Sequence, residues 1–191
     1  MIKKYCSLLC LPFIFGCSAI IGLKAPKAVN NANFKPIEQV YEVRDSYVAE
    51  HTYLKNISFI KDSALKQRHA QPLQALYYNN KGENIVAIVN CNVPGGLNLN
   101  WNFNHILSTF PPIYPDYKDL IHLLQILSAC SIDPKKINFQ DYDYTVLLFW
   151  NQYMGRQTKH FLKAFRENLT KTRTQKVLTV YINNDNFFAE P

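Results

Sequence analysis

The sequence predicts an α/β fold, with a mixed sheet flanked by helices. Residues 145–149 and 177–182 are largely apolar runs without alternation, as is typical of interior parallel strands covered on both faces. Between them, residues 155–169 repeat apolar side chains at helical spacing. A strand, a helix and a strand in this order form a right-handed crossover unit, so we expect the two strands to be parallel neighbours.

A β-hairpin is predicted upstream of this unit. Residues 73–78 and 85–90 are two apolar runs, and the turn between them contains Asn79 and Gly82. These residue types adopt the positive φ angles that tight hairpin turns require. We therefore expect two antiparallel strands, with both faces covered.

Outside the crossover unit, the sequence predicts one helix clearly and leaves the structure of an earlier segment open. Residues 116–129 should form a buried helix, because leucines recur at helical spacing after Asp116, a good N-cap residue. Residues 37–69 follow neither the helix nor the strand period, so we expect an early helix or strand and then a helix near residues 64–69.

The N-terminus resembles an export signal. Lys3 and Lys4 precede an apolar segment that is too short to span a bilayer as a helix, which is typical of a secretory signal peptide. The segment ends in Ile-Phe-Gly-Cys17, which resembles the lipobox of bacterial lipoproteins. The resemblance implies cleavage before Cys17, acylation of that cysteine, and anchoring on the periplasmic face of the outer membrane. An ordinary signal peptide followed by a chance cysteine is the alternative.

This interpretation divides the chain into three parts. Residues 1–16 are the signal peptide, and residues 17–36 are a lipid-anchored tether. The tether is rich in asparagine and contains prolines, so we expect it to stay extended. Residues 37–191 are the folded α/β domain with an N-terminal extension.

Two cysteines remain in the predicted mature domain, Cys91 and Cys130. The envelope compartment is usually oxidising, so one disulfide between them is one interpretation. Two buried thiols acting as small apolar side chains are the other.

One stretch of the crossover unit resembles a known active site. Residues 149–157 read Phe-Trp-Asn-Gln-Tyr-Met-Gly-Arg-Gln and resemble the thioredoxin stretch Phe-Trp-Ala-x-Trp-Cys-Gly-Pro-Cys. Trp150 and Gly155 match, and Tyr153 replaces another aromatic residue. Residues 177–185 resemble the next strand of that family, which often ends in Asn-x-Asp.

The resemblance implies a thioredoxin-like fold with a rearranged order. In that family the hairpin and the last helix follow the crossover unit, whereas here residues 71–90 and 116–129 precede it. This implies a permuted sheet, hairpin first and crossover unit last, with Pro72 at the position of the family's cis-proline. Alternatively, residues 116–129 are the family's first helix and the hairpin is an addition.

The defining cysteines are absent. Met154 and Gln157 occupy their two positions, and neither side chain can form the thiolate or the mixed disulfide that the redox reaction requires. We therefore do not carry over the family's redox activity. The sequence also contains no other catalytic motif and no cluster of metal-ligating residues, so we expect no cofactor and no metal site. Arg156 beside an exposed helix N-terminus indicates an anion-binding loop, with a merely solvated arginine as the alternative. We expect Met154, Arg156 and Gln157 to be exposed.

The charge pattern suggests which partners to consider. The chain carries a formal net charge of +7, and residues 156–176 are strongly basic, with Glu167 as their only acidic residue. These basic side chains can bind anionic lipid headgroups or an acidic partner, or they can form a solvated helix face. Nucleic acid is not expected as a partner of an exported, tethered protein.

Three functional hypotheses follow from the sequence. The first is a non-catalytic cell-envelope lipoprotein whose redox-inactive thioredoxin-like domain binds or assembles an envelope protein. The second is a thiol–disulfide protein that uses Cys91 and Cys130. The third is a binding module for an anionic ligand at the Arg156 loop.

Overall fold

A computed structural model describes residues 22–49, 71–89, 100–113 and 123–189. Over these ranges the protein has one five-stranded mixed sheet flanked by helices, as the sequence predicts. The strands are β1 Tyr47–Val48, β2 Gln74–Asn79, β3 Asn84–Val89, β4 Tyr144–Trp150 and β5 Val177–Asn183. The α-helices are α1 Asn31–Tyr41, α2 Leu123–Ala129, α3 Arg156–Leu169 and α4 Asp185–Phe188. Short 3-10 helices lie at Phe103–His105, Pro134–Lys136 and Phe139–Asp141.

The strand order is β1-β5-β4-β2-β3. β5 runs parallel to both β4 and β1, whereas β2 is antiparallel to β4 and β3. The predicted crossover unit and the predicted hairpin are both present, and they share one sheet because Gln74 lies opposite Phe149. β4 is therefore the central strand, with the crossover partner on one side and the hairpin on the other.

The sheet has a hydrophobic core on each face. Alternate residues of β4 divide between the two cores: Val146 and Leu148 face one, and Leu147 and Phe149 face the other. The first core is covered by α1, α3 and residues 101–110, and the second by α2. Because both faces are covered, every residue of β4 after Tyr144 is buried, which explains the lack of alternation in its sequence.

α3 is amphipathic and ties a distant loop to the sheet. Phe161 and Phe165 are buried on its inner face. One turn further, the buried Asn168 accepts a hydrogen bond from the Tyr77 hydroxyl at 3.1 Å. Its amide nitrogen donates to the backbone carbonyls of Leu107 at 2.9 Å and Thr109 at 2.7 Å. The loop is thus fixed by a fully buried side chain, whose loss would leave several polar groups without partners.

The last part of the segment predicted as an extended tether is helical. α1 begins at Asn31, inside the range predicted as a tether, and its Phe34 is 7% exposed. The ring of Phe34 stacks on Trp150 at 6.1 Å, and Tyr41, two turns later, contacts the same ring at 5.4 Å. The expectation of an extended spacer is wrong for residues 31–36, because they belong to α1 and pack Phe34 against the end of the central strand.

Several predictions lie outside the described residues. These are the signal peptide with Cys17, the cysteine Cys91, the helix near residues 64–69 and the cap Asp116. Of the helix predicted at residues 116–129, the structure describes the last part as α2. Within the described ranges, no helix combines the length and apolar composition needed to cross a bilayer.

Candidate functional site

Buried polar side chains gather at the carboxyl ends of β4 and β5. In α/β sheets, ligands commonly bind at this edge. The residues concerned are Asn151, Gln157, Thr158, Asn183, Asn184 and Asp185, all at most 5% exposed. Four of them lie at the last position of a strand or within two positions after it, and the other two lie in the first turn of α3, which explains why the fold brings them together.

Asp185 holds the turn between β4 and α3. Its carboxylate accepts hydrogen bonds from the backbone N–H groups of Gln152, at 2.9 and 3.1 Å, and of Tyr153, at 3.3 Å. The side-chain amide of Asn183 donates to it at 2.8 Å. Burial raises the pKa of Asp185 to about 6, while these hydrogen bonds and the charge of Lys24 act in the opposite direction.

Asn151 connects three segments at this edge. Its side-chain oxygen accepts from the N–H of Met154 at 2.8 Å. Its amide nitrogen donates to the carbonyl of Pro72 at 2.9 Å and to the side chain of Asn184 at 3.0 Å. Its backbone carbonyl accepts from the hydroxyl of Thr158 at 2.6 Å. The turn, the entry to the hairpin and the end of β5 are thus joined by one side chain.

The expectation that Met154 and Gln157 are exposed is wrong. Met154 is 3% exposed and belongs to the same core as Trp150, and Gln157 is 5% exposed. A thioether is apolar and fills irregular gaps, so its burial is favourable where a reactive thiolate would have to face solvent. The side-chain oxygen of Gln157 has no hydrogen-bond partner. Arg156 is exposed, as expected.

An N-terminal segment lies across this turn, and we call residues 22–30 the strap. The N–H of Lys24 donates to the carbonyl of Tyr153 at 2.8 Å. Val29, 5% exposed, donates its N–H to the side chain of Asn186 at 2.7 Å. The strap is therefore attached at both ends, to the turn and to α4.

Two glycines allow the strap to approach the turn. Gly155 has φ +50° and ψ −109°, a conformation that favours glycine, and a Cβ there would collide with the carbonyl oxygen of Gly22. A Cβ on Gly22, which has φ +77°, would come within 2.9 Å of the Cβ of Arg156. The backbone of the strap thus covers the start of α3.

Tyr41 lies beneath the charged side of the strap. The ammonium groups of Lys24 and Lys159 lie 5.7 and 5.9 Å from the centre of its ring, within the range of cation–π interactions. Its hydroxyl donates to the carbonyl of Gln152 at 3.4 Å. Burial, followed by the negative charge of Asp185, raises the pKa of Tyr41 to about 12, so it remains a neutral donor.

Pro72 lies at this edge, but the expectation of a cis peptide bond there is wrong. Among the described residues the peptide bond in cis is Phe110–Pro111, and the bond before Pro72 is trans. The carbonyl of Pro72 instead accepts from the side-chain amides of Asn151, at 2.9 Å, and Asn184, at 3.2 Å. These two amides hold the start of the hairpin in place.

Cys130 is a free thiol buried in the second core, away from this edge. Burial raises its pKa, which disfavours the nucleophilic thiolate. Its predicted partner Cys91 lies outside the described residues, and of the two interpretations Cys130 fits the buried thiol. No group of three or more potential metal-ligating side chains occurs in the described part of the chain.

A cleft of about 440 Å³ opens at the opposite end of the sheet. It lies between the hairpin turn, the start of α2 and the residues before β4, and it is lined by Asn79–Gly82, Leu123, Leu124 and Ile137–Gln140. Amide and apolar side chains dominate the described part of the lining, in which no carboxylate occurs. No local sequence pattern indicates this cleft, because three segments distant in sequence form it.

No protein-family model, curated protein or solved structure matches this chain.

The side chains at the β4–α3 turn determine which chemistry is possible at this edge of the sheet. Thr158 donates its hydroxyl to the backbone, and Asp185 already accepts several hydrogen bonds at 1% exposure. Neither is available to act on a substrate, so the arrangement is suited to holding the turn and the strap together.

Proposed function

We propose that this protein is an exported, lipid-anchored scaffold whose thioredoxin-like domain binds or assembles an envelope partner without catalysing a reaction. One observation carries the proposal. Met154 and Gln157, at the two positions where thioredoxins have cysteines, are buried, and the strap lies over Gly155 between them. A turn that is filled from inside and covered from outside has a structural role.

The strand arrangement supports the thioredoxin-like, permuted interpretation. β4, α3 and β5 form the parallel crossover unit, and the hairpin β2–β3 joins it through antiparallel pairing of β2 with β4. This is the arrangement expected if the hairpin has moved ahead of the crossover unit. The five-stranded order, with β1 added beside β5, fits the same interpretation.

The thiol–disulfide alternative receives less support. It requires a reactive thiol, whereas Cys130 is 1% exposed and its pKa is raised by burial. The anionic-ligand alternative requires an open start of α3, and the carbonyl of Gly22 lies against Gly155 at that point. The scaffold interpretation requires neither feature.

An insulin-reduction assay tests the absence of redox catalysis. The parent protein and a Cys91→Ser/Cys130→Ser variant should both give the background rate of insulin precipitation with dithiothreitol as reductant. Turnover by the parent that Cys91→Ser abolishes would overturn the proposal in favour of the thiol–disulfide alternative.

Mass spectrometry of the mature N-terminus tests the anchor. We expect a chain that begins at Cys17 and carries a diacylglycerol and an amide-linked acyl chain, which together anchor a protein stably. The Cys17→Ser variant should lose the modification, and Cys10→Ser, inside the predicted signal peptide, should keep it. An uncut or unmodified Cys17 in the parent would refute the anchor.

A further inference from the structure

The strap places the predicted lipid anchor close to one face of the domain. Gly22, the first described residue, lies against Gly155 and Arg156 at the start of α3. The chain from Cys17 to Gly22 can span at most about 17 Å, even when fully extended. If Cys17 carries lipid, as the proposed function holds, the β4–α3 turn is confined to about this distance from the bilayer surface. The inference below therefore rests on the proposed function.

This face is positively charged. Lys24 and Lys27 of the strap are exposed, and so are Arg156 and Lys159 in the first turn of α3. The carboxylate of Asp185, which interacts with the charge of Lys24, is 1% exposed and is directed into the turn. The face therefore presents cations to the surface to which the anchor would attach it.

Two carboxylates on α1 and directly after it are paired. Glu38 on α1 is buried and forms a salt bridge with Lys35 at 3.0 Å. Glu42 pairs with Arg166 at 3.1 Å, further along α3. These pairs neutralise acidic groups that would otherwise offset the charge of the face.

Aromatic side chains border the cations. Tyr153, whose carbonyl binds the strap, stacks on Phe188 with ring centroids 5.9 Å apart, and Phe187 contacts Phe188 edge-on at 4.7 Å. All three rings are partly exposed. Tyr153 has an apolar ring and a polar hydroxyl, the kind of side chain that is enriched in the headgroup region of a bilayer, and the two partly exposed phenylalanine rings add apolar area beside it.

We propose that this face, defined by Lys24, Lys27, Tyr153, Arg156, Lys159 and Phe188, rests on the anionic phospholipid headgroups of the membrane that holds the anchor. The short connection brings the face to the surface, and charge complementarity keeps it there. The cleft between the hairpin turn and α2, at the other end of the sheet, then points away from the membrane. The anchor thus orients the domain as well as retaining it.

Hydrogen exchange of the mature protein in vesicles tests this orientation. The protein, purified from membranes, is reconstituted in phosphatidylcholine alone or with about 30% phosphatidylglycerol, which supplies the anionic surface. Exchange is followed at residues 25–28 and 153–159. On the anionic vesicles it should slow about fivefold, as expected for one cation held at such a surface, and the effect should disappear at about 0.5 M NaCl.

Two charge-reversal variants with the same change in net charge separate the face from general electrostatics. Lys27→Glu/Lys159→Glu should abolish the lipid-dependent slowing. Arg173→Glu/Lys176→Glu, at the amino end of β5, should keep it. On phosphatidylcholine, equal protection of the hydrogen-bonded amides of Lys24 and Val29 in all proteins verifies that the strap stays in place.

The outcomes distinguish the two proposals. Acylated Cys17 in the same sample, with equal exchange on both vesicle types, would overturn the membrane-facing surface and leave the anchor standing. Equal loss of slowing in both charge-reversal variants would also overturn it. An unmodified Cys17 would overturn the anchor, and with it the short connection on which the orientation depends.

Discussion

Replacing Asp185 by asparagine measures what it costs to bury an ionised carboxylate beneath the β4–α3 turn. Burial raises the pKa of Asp185 from its ordinary value of 3.8 to about 6. A difference of about two pKa units corresponds to about 3 kcal/mol of unfolding free energy. The native protein retains its proton to a higher pH than the unfolded chain does. The contribution of Asp185 to the free energy of unfolding is therefore most favourable below about pH 4. It falls as the pH rises to about 6 and is constant above that pH.

The assay is urea unfolding of the parent and of Asp185→Asn at several pH values from about 3.5 to 7.5. The other carboxylates are common to both proteins and cancel in the difference. In the parent, the side-chain amide of Asn183 donates to the carboxylate of Asp185, whereas in the variant it faces the introduced amide. This change adds a difference in the free energy of unfolding that does not depend on pH. From the lowest to the highest pH, the difference in stability should shift by about 3 kcal/mol in favour of Asp185→Asn.

Two results would refute this reasoning. A difference that does not change with pH would mean that Asp185 is not held in a desolvated site. A shift in favour of the parent would mean that the hydrogen bonds from Gln152 and Tyr153 outweigh the cost of burial. Asp133→Asn, at an exposed position, removes the same charge and serves as the control.

Three further predictions concern the strap, α1 and the buried thiol. In urea titrations, Phe34→Ala should lower the free energy of unfolding by about 3–5 kcal/mol. The control Val40→Ala, at a 54% exposed position of the same helix, should change it by less than about 0.5 kcal/mol. Equal effects of the two variants would contradict the packing of α1. Gly155→Ala should cost about 1–3 kcal/mol and expose the strap to limited proteolysis, since the added methyl group collides with Gly22; an unchanged cleavage pattern would contradict this contact. Cys130 should resist alkylation by iodoacetamide in the native protein and react in urea, as mapped by mass spectrometry, and rapid native labelling would contradict its burial.

The central part of the fold was predictable because its sequence pattern is local. The apolar runs of β4 and β5 and the helical spacing of α3 each lie within a short window, so burial on both faces and parallel pairing followed from them. α1 was missed, because its asparagines and Pro36 are typical of a linker. Its apolar contacts, Phe34 and Tyr41, are recognisable only once Trp150 is known to lie beside them.

The position of the candidate site in the sequence was predictable, but the burial of its side chains was not. The resemblance identified Met154 and Gln157 as replacements for reactive residues, yet it implied that they are exposed. Their burial depends on the backbone of Gly155 and on a segment more than about 130 positions earlier in the chain, and local patterns carry no information about such contacts. The role of Asp185 was missed for a similar reason, since its hydrogen-bond donors belong to the preceding turn.

The strand order also determines when the chain can acquire its structure. β1 pairs with β5, so Tyr47 can pair with Ile182 only after most of the chain has been made. This edge of the sheet therefore forms late. The pairing of Gln74 with Phe149 likewise closes a loop of about 75 residues, and such closures delay assembly until their partners are available. A growing chain therefore has little opportunity to settle into its native sheet during synthesis. We propose that this protein is exported, and for an exported protein late closure of the sheet favours a chain that is still unfolded when it crosses the membrane.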